Sequence, residues 1–371
     1  MNMRYARGWL AVDLDALAHN ARVVRDRTHA DLIAVVKADA YGLGAVPVAR
    51  ALQDACACFG VATVEEGIAL REGGISLPIW VMGLSDPSQI EAALLYRLDL
   101  TVDTAEQARQ TAQIARGMRT CARVHIALDS GMHRIGVPTD RDGAHTVAEI
   151  ARLSDICVVG LFSHMMCADT HSAWNVIQQL RTESFAHDVL PHVPLHLANS
   201  AGCLIRSGYG MPIARAGLAL YGVSPDSNRY GLRPVARWYA RIVHLSHVRA
   251  GECVGYGATY RMRRAGVIAT LSVGYADGYP RALSNIGHVV IAGHAVPVVG
   301  AVCMDMMMAD VSKIASLVSV GMTAQLYGAQ RAIALQTLAF AADTCPYELL
   351  CRISARVPRV YDDRIGEDPI G

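Results

Sequence analysis

The sequence predicts an α/β protein in two parts, an N-terminal (β/α)8 TIM-type barrel followed by a C-terminal, mostly β domain. Three observations carry that expectation. Eight short β-rich runs alternate with alanine-rich helical stretches between about residues 30 and 220. Near residue 232 the texture changes to short strands broken by glycine, such as "GVIATLSVGYA" and "HAVPVVGAVCM". At 371 residues the chain is also long for a single domain.

The eight runs are 32–36, 58–62, 79–82, 98–102, 124–128, 158–162, 195–198 and 213–216, and the last two units are the least sharply marked. Thr63 and Thr104 open helical stretches as N-caps with acidic residues in the first turn, and Gly73-Gly74 and Gly117 suit helix ends. Eight such units fit a closed barrel better than an open doubly wound sheet. The start, "GWLAVDLDALAHNARVVRD", reads as a strand and then a helix capped by Asp15. Residues 1–14 are therefore expected to lend a strand to the C-terminal domain, leaving 15–231 for the barrel and 232–371 for the β domain. Within that domain only "ALQTLAFAADT" reads as a helix, and the tail "DDRIGEDPIG" reads as loose.

Composition narrows the function. A formal net charge of +1 with no basic block or stripe argues against nucleic acid as the main partner. No apolar run is long enough to span a bilayer, and the first twenty residues lack a signal-peptide core. Most of the ten cysteines sit in apolar runs such as "DICVVG". The one close pair, Cys56 and Cys58, lacks a second pair or histidines at zinc spacing. Reduced thiols, no metal site and a cytoplasmic location are the expectation.

In such barrels chemistry sits at the C-terminal ends of the strands. Those ends carry Lys37, Asp39 and Tyr41 after the first run, Arg134 in "DSGMHRIG" after the fifth, and Ser163 and His164 after the sixth. Asn199 and Ser200 follow the seventh, and Arg215 precedes Ala216-Gly217 at the eighth. Singly, each has an ordinary reading: a strand-end lysine reaches solvent, a histidine satisfies itself in the core, a serine caps a helix. Together they suit one chemistry. A desolvated lysine becomes an amine nucleophile toward an aldehyde. Ser200 and the Gly217–Leu218 backbone offer a phosphate cradle. The set describes pyridoxal 5′-phosphate (PLP) held as a Schiff base.

"VVKADAYGLG" resembles the cofactor-lysine motif of the alanine racemases, PLP enzymes of fold type III. The resemblance continues in order through "LDSGMHRIGV", "GLFSHMMCADT", "HLANSAG", "RAGLALYG", "VGYGATY", "VGYADGYPR", "VGAVCMDMMMADV" and "YELLCRISARVPRVY", nearly the whole chain. It implies that Lys37 is the Schiff-base lysine and one catalytic base, and that Tyr256 is the opposing base. A racemase needs acid/base groups on both faces of a planar carbanion. The resemblance makes Arg215 the partner of the pyridine nitrogen, a cation that keeps this nitrogen unprotonated, with His164 supporting it. Tyr41, Ser200 and Tyr361 become phosphate ligands with backbone donors from Gly217 and Leu218, beside Asn199. Arg134 falls near the substrate carboxylate, Met304 offers its backbone N–H to the same group, and Tyr275 lines the entrance. It also implies a homodimer in which Tyr256, Tyr275 and Met304 act on the other subunit's barrel.

Two positions depart from the family pattern. Leu43 stands where a histidine is usual, a mild change. Ala127 stands where many members carry a carbamylated lysine that orients the arginine at position 134. No carbamate is expected, and an acidic neighbour, a bound anion such as chloride, or water is expected in its place. The reaction stays the same while the substrate range opens toward serine or other amino acids. A non-catalytic PLP carrier on a lone barrel would lack the second domain and Tyr256. A decarboxylase of this fold type would want an acidic residue at the pyridine nitrogen.

Overall fold

A computed structural model describes residues 6–224, 227 and 229–361. They form two compact units: Leu17–Ala40 with Ala45–Arg233, and 6–16 with Tyr41–Gly44 and 234–361. The tail that reads as loose, 362–371, lies outside the described residues.

The first unit is the barrel the sequence predicts. After β1 (Gly8–Val12) come β2 (Asp31–Val35), β3 (Cys58–Val61), β4 (Ile79–Leu84), β5 (Asp99–Val102), β6 (Ala122–Asp129), β7 (Ile156–Phe162), β8 (Leu195–His196) and β9 (Ile213–Ala216). From β2 to β9 each strand pairs in parallel with the next, and β9 pairs with β2 to close the ring. Thr63 and Thr104 cap their helices, accepting the N–H groups of Glu66 and Gln107. The first helix, Leu14–Thr28, corrects one expectation: Asp13 is its cap, accepting Ala16 N–H at 2.8 Å, and Asp15 lies inside the first turn. A carboxylate there complements the positive end of the helix dipole, and sequence alone does not separate the two positions. β8, the seventh strand of the barrel, is only two residues long, which is why its run carries so little periodic signal.

The second unit is mostly β. β1 pairs antiparallel with β10 (Ala236–Val248) and parallel with Arg359–Tyr361. β10 also pairs with Gly266–Leu271 and Thr323–Tyr327. Its helices are Leu335–Ala341 and a second one, Pro346–Cys351, that the sequence reading omits. Six residues opened by a proline are too few for an amphipathic repeat to show.

Candidate active site

After β2 the backbone makes one left-handed helical turn. Ala38, Asp39, Ala40 and Tyr41 have φ of 53–57°. For non-glycine residues this costs roughly 1–2 kcal/mol each, and such strain gathers at functional sites. Polar contacts hold the turn: Glu66 accepts Ala38 N–H at 2.7 Å, and Asp39 accepts Ala45 N–H at 2.7 Å. Lys37 begins this turn, half-buried at the strand end.

Arg215, on β9, is buried to 2% exposure. Its NH1 donates to His196 O at 2.8 Å and to His196 Nδ1 at 2.9 Å; its NH2 donates to Ser163 O at 2.7 Å and Leu197 O at 3.1 Å. Those four bonds use the four terminal hydrogens. Among the described residues, Nε–H has no acceptor and the guanidinium has no carboxylate partner. His164 lies farther off, with Nδ1 3.5 Å from NH2. Burial, reinforced by Arg215, Arg134 and Lys37, pushes the His164 imidazole down to about 3. Burial lowers Arg215 itself to about 10.

The residues of this unit that are expected to bind phosphate also come together. Asn199 caps the helix Ser200–Arg206, leaving the Ser200 side chain free to turn outward from the helix. Its Oγ accepts Gly217 N–H at 3.0 Å and Ala219 N–H at 3.2 Å. The two bonds fix the Ser200 hydroxyl against the turn that follows β9. Leu218, between them, is buried.

Arg134 is exposed, and no ion pair holds it among the described residues. Of the three replacements expected for the missing charge, an acidic neighbour is not seen at Arg134 among the described residues, which leaves a bound anion or water as the expectation. Ala127 is buried in an apolar cluster with Ile33, Trp80 and Phe162. The loop between them is held another way. Asp129 accepts the N–H groups of Gly131 and His133 at 3.0 Å each, and the His133 ring at 2.8 Å. Burial alone would raise the Asp129 carboxyl, but these bonds outweigh it and hold it below the usual carboxylate range. We expect Ala127→Lys to lower stability by about 1–3 kcal/mol through overpacking, with no gain in activity. A urea midpoint unchanged from wild type would contradict this.

Tyr41 and Tyr361 belong to the second unit. Tyr41 is buried, its ring 5.9 Å from Tyr347, and burial raises its hydroxyl pKa. Tyr361 donates to Leu43 O at 2.8 Å. Tyr256, Tyr275 and Met304 are exposed, at 76%, 42% and 54%. Tyr275 and Met304 sit on adjoining backbone: Tyr275 N–H donates to Cys303 O, and Ala276 N–H to Met304 O, both at 3.0 Å. Gly274 permits that approach, since a Cβ would lie 2.4 Å from Met304 O.

Sequence reasoning missed His196, the closest imidazole to Arg215, and His125 behind it. Both are buried. Their signal was a polar residue on the inward face of an otherwise apolar strand, at period two with Ala127 and Asp129 in β6. Burial depresses His125, His164 and His196 alike. Each is neutral in the fold and gains a proton on unfolding below its ordinary value of about 6.5. Their contribution is complete above that pH and is lost as pH falls, by at most about 1.4 kcal/mol per histidine per pH unit. Calorimetry should show Tm falling from pH 7.5 to pH 5; a flat profile would contradict three neutral buried rings.

A closed parallel barrel with a lysine, an arginine that has no carboxylate partner among the described residues, and a serine held against a glycine turn at its strand ends, joined in sequence to a β domain, suits the class of barrel enzymes that work through PLP. The comparisons give the family. Residues 12–225 match the model "Alanine racemase, N-terminal domain", and residues 235–361 match "Alanine racemase, C-terminal domain". An alanine racemase of Halothermothrix orenii is 40% identical, covering 99% of this chain and 100% of the relative. The solved alanine racemase of Clostridium difficile superposes with a TM-score of 0.91 at 33% identity, covering 96% of each chain. One from Bartonella henselae, solved with covalently bound pyridoxal phosphate, gives 0.88 at 27% identity over 96% of this chain and all of its own. The chain belongs to the alanine racemase family.

Proposed function

We propose that the protein is a PLP-dependent racemase that interconverts L- and D-alanine with Lys37 and Tyr256 as opposing bases. The observation that carries this reading is Arg215, a buried guanidinium caged by carbonyls, with no carboxylate partner and no acceptor for its Nε–H among the described residues. That donor suits an unprotonated ring nitrogen. The Ser200 hydroxyl beside the Gly217–Leu218 backbone suits a phosphate, and Lys37 suits an aldehyde. The barrel's donor set therefore fits PLP, which Lys37, Ser200, Arg215, Gly217 and Leu218 would hold, with His164 and Asn199 beside it; Tyr41 and Tyr361 are phosphate ligands on the family resemblance alone.

When bound, PLP acidifies the α-proton of an amino acid by drawing electron density into its ring. The residues do the rest. Arg215 donates from Nε without giving up a proton, because a guanidinium stays charged. Arg134, unpaired, takes the substrate carboxylate, with the Met304 N–H as a second donor. Lys37 Nζ holds the proton on one face and Tyr256 Oη on the other, so each direction uses one as base and one as acid. Tyr275 narrows the entrance. In a homodimer, Tyr256, Tyr275 and Met304 serve the partner's barrel; their exposure on the second unit supports this. The product serves peptidoglycan synthesis or D-alanine catabolism. The cysteines form no disulfide among the described residues, which suits a reducing cytoplasm, and no helix among the described residues is long and apolar enough to cross a membrane.

Serine or a broader set of amino acids is the second reading, favoured by the uncharged Ala127 and the unpaired Arg134. Purified protein with PLP is incubated separately with L-alanine, L-serine and L-lysine, and enantiomers are resolved chirally. D-alanine forming fastest supports the proposal; D-serine or D-lysine in excess supports the second reading; no D-product overturns both.

A further inference from the structure

Behind Arg215 the barrel interior holds a line of polar groups that the reaction itself does not use. His196 meets Arg215 NH1 through Nδ1 at 2.9 Å, and its Nε2 lies 3.0 Å from His125 Nδ1. His125 Nε2 lies 3.9 Å from Asp99 Oδ2. That last link is the longest and is electrostatic rather than a closed hydrogen bond. Arg123 grips Asp99 with two bonds, Nε to Oδ1 at 2.8 Å and NH2 to Oδ2 at 3.2 Å. Asp99, His125 and His196 are all buried, and the Trp80 ring covers both imidazoles at 4.7 and 5.1 Å.

The backbone makes room for this line. A Cβ on Gly160 would fall 2.4 Å from His125 Nδ1 and 3.1 Å from His196 Nε2. The pairing of β6 with β7 also shifts register between Val124 and His125. Any side chain at position 160 would part the two rings.

Both ends of the line have fixed polarity. A guanidinium only donates, and an ionised carboxylate only accepts. Between them, one arrangement satisfies every contact: both imidazoles neutral, with the proton on Nε2. A proton on His196 Nδ1 would face an Arg215 N–H, donor against donor.

We propose that Asp99 is a positioning residue which, through His125 and His196, fixes the ring tautomers that hold Arg215 with its Nε–H free. Arg123 keeps Asp99 in its accepting form. A carboxylate thereby orients the arginine across two rings without touching it, so the guanidinium keeps its full charge at the cofactor site. The role assigned to Arg215 rests on the racemase reading, but the tautomers do not, and they are measured directly.

The test uses holoenzyme labelled with 15N in its histidine rings. Wild type is expected to show His125 and His196 protonated on Nε2 alone. Asp99→Asn is nearly isosteric but can donate, so it is expected to admit the Nδ1–H form in both rings. Racemisation kcat should fall about 10- to 100-fold, by analogy with the range for outer partners that orient metal ligands, with KM little changed. Wild-type His196 carrying a proton on Nδ1 would overturn the proposal without any variant. So would an Asp99→Asn protein that keeps both tautomers and its kcat. Correct tautomers in a protein that racemises nothing would leave the relay standing and sink only the racemase reading.

Discussion

Lys37→Ala is expected to lower racemisation by about 10⁴-fold or more. It removes a general base, typically worth ~10²–10⁴, and the amine that anchors the cofactor. Stability should hardly move, because Lys37 is half-buried and forms no hydrogen bond or ion pair among the described residues; such changes are usually within about 0.5 kcal/mol. The purified variant with added PLP should lose the visible absorbance of lysine-bound cofactor while keeping the wild-type Tm. A small external amine such as methylamine should restore part of the activity, since the missing group is an amine with space around it. A variant that keeps more than a tenth of wild-type activity without rescue would remove Lys37 from the chemistry.

Tyr256→Phe carries the second large effect. The side chain is 76% exposed, so the subunit should fold unchanged while racemisation falls roughly 10²- to 10⁴-fold. Overall rates cannot reveal which face has lost its base. The equilibrium constant of a racemisation is one, so kcat/KM falls equally in both directions. Exchange of the α-proton with solvent can reveal it. With Lys37 intact, one enantiomer should still exchange in D2O at a substantial fraction of the wild-type rate while the other exchanges slowly. Equal, small losses for both enantiomers would contradict the two-base assignment.

Much of this was legible in the sequence because barrels translate period and position directly into place. Strand runs ending in polar residues mark the mouth, and Lys37, His164, Ser200 and Arg215 were found that way. His125 and His196 were hidden for the same reason. Inside a closed barrel an inward residue one pleat below the mouth has no signature beyond one polar letter in an apolar strand, and only the pairing of neighbouring strands shows that two such letters meet. The left-handed turn after Lys37 was equally invisible, because "ADAY" carries none of the glycine or asparagine that usually announces positive φ. Asp13 and Asp15 could not be told apart as caps because each stands beside the helix start with the right side chain. The uncharged slot at Ala127 was plain to see. What the structure added is that its surroundings are apolar, so the loop bearing Arg134 leans on Asp129 and His133.

In the proposed mechanism two different groups handle the α-proton, and a single labelling measurement tests this. L-alanine is incubated with the holoenzyme in D2O and sampled during the first few per cent of conversion. If Lys37 and Tyr256 work from opposite faces, the proton removed and the proton delivered are different. The D-alanine formed should then carry deuterium at Cα in nearly every molecule, while the remaining L-alanine is still largely protiated. D-alanine that retains its original protium would mean one group carries the proton across, and would contradict the account.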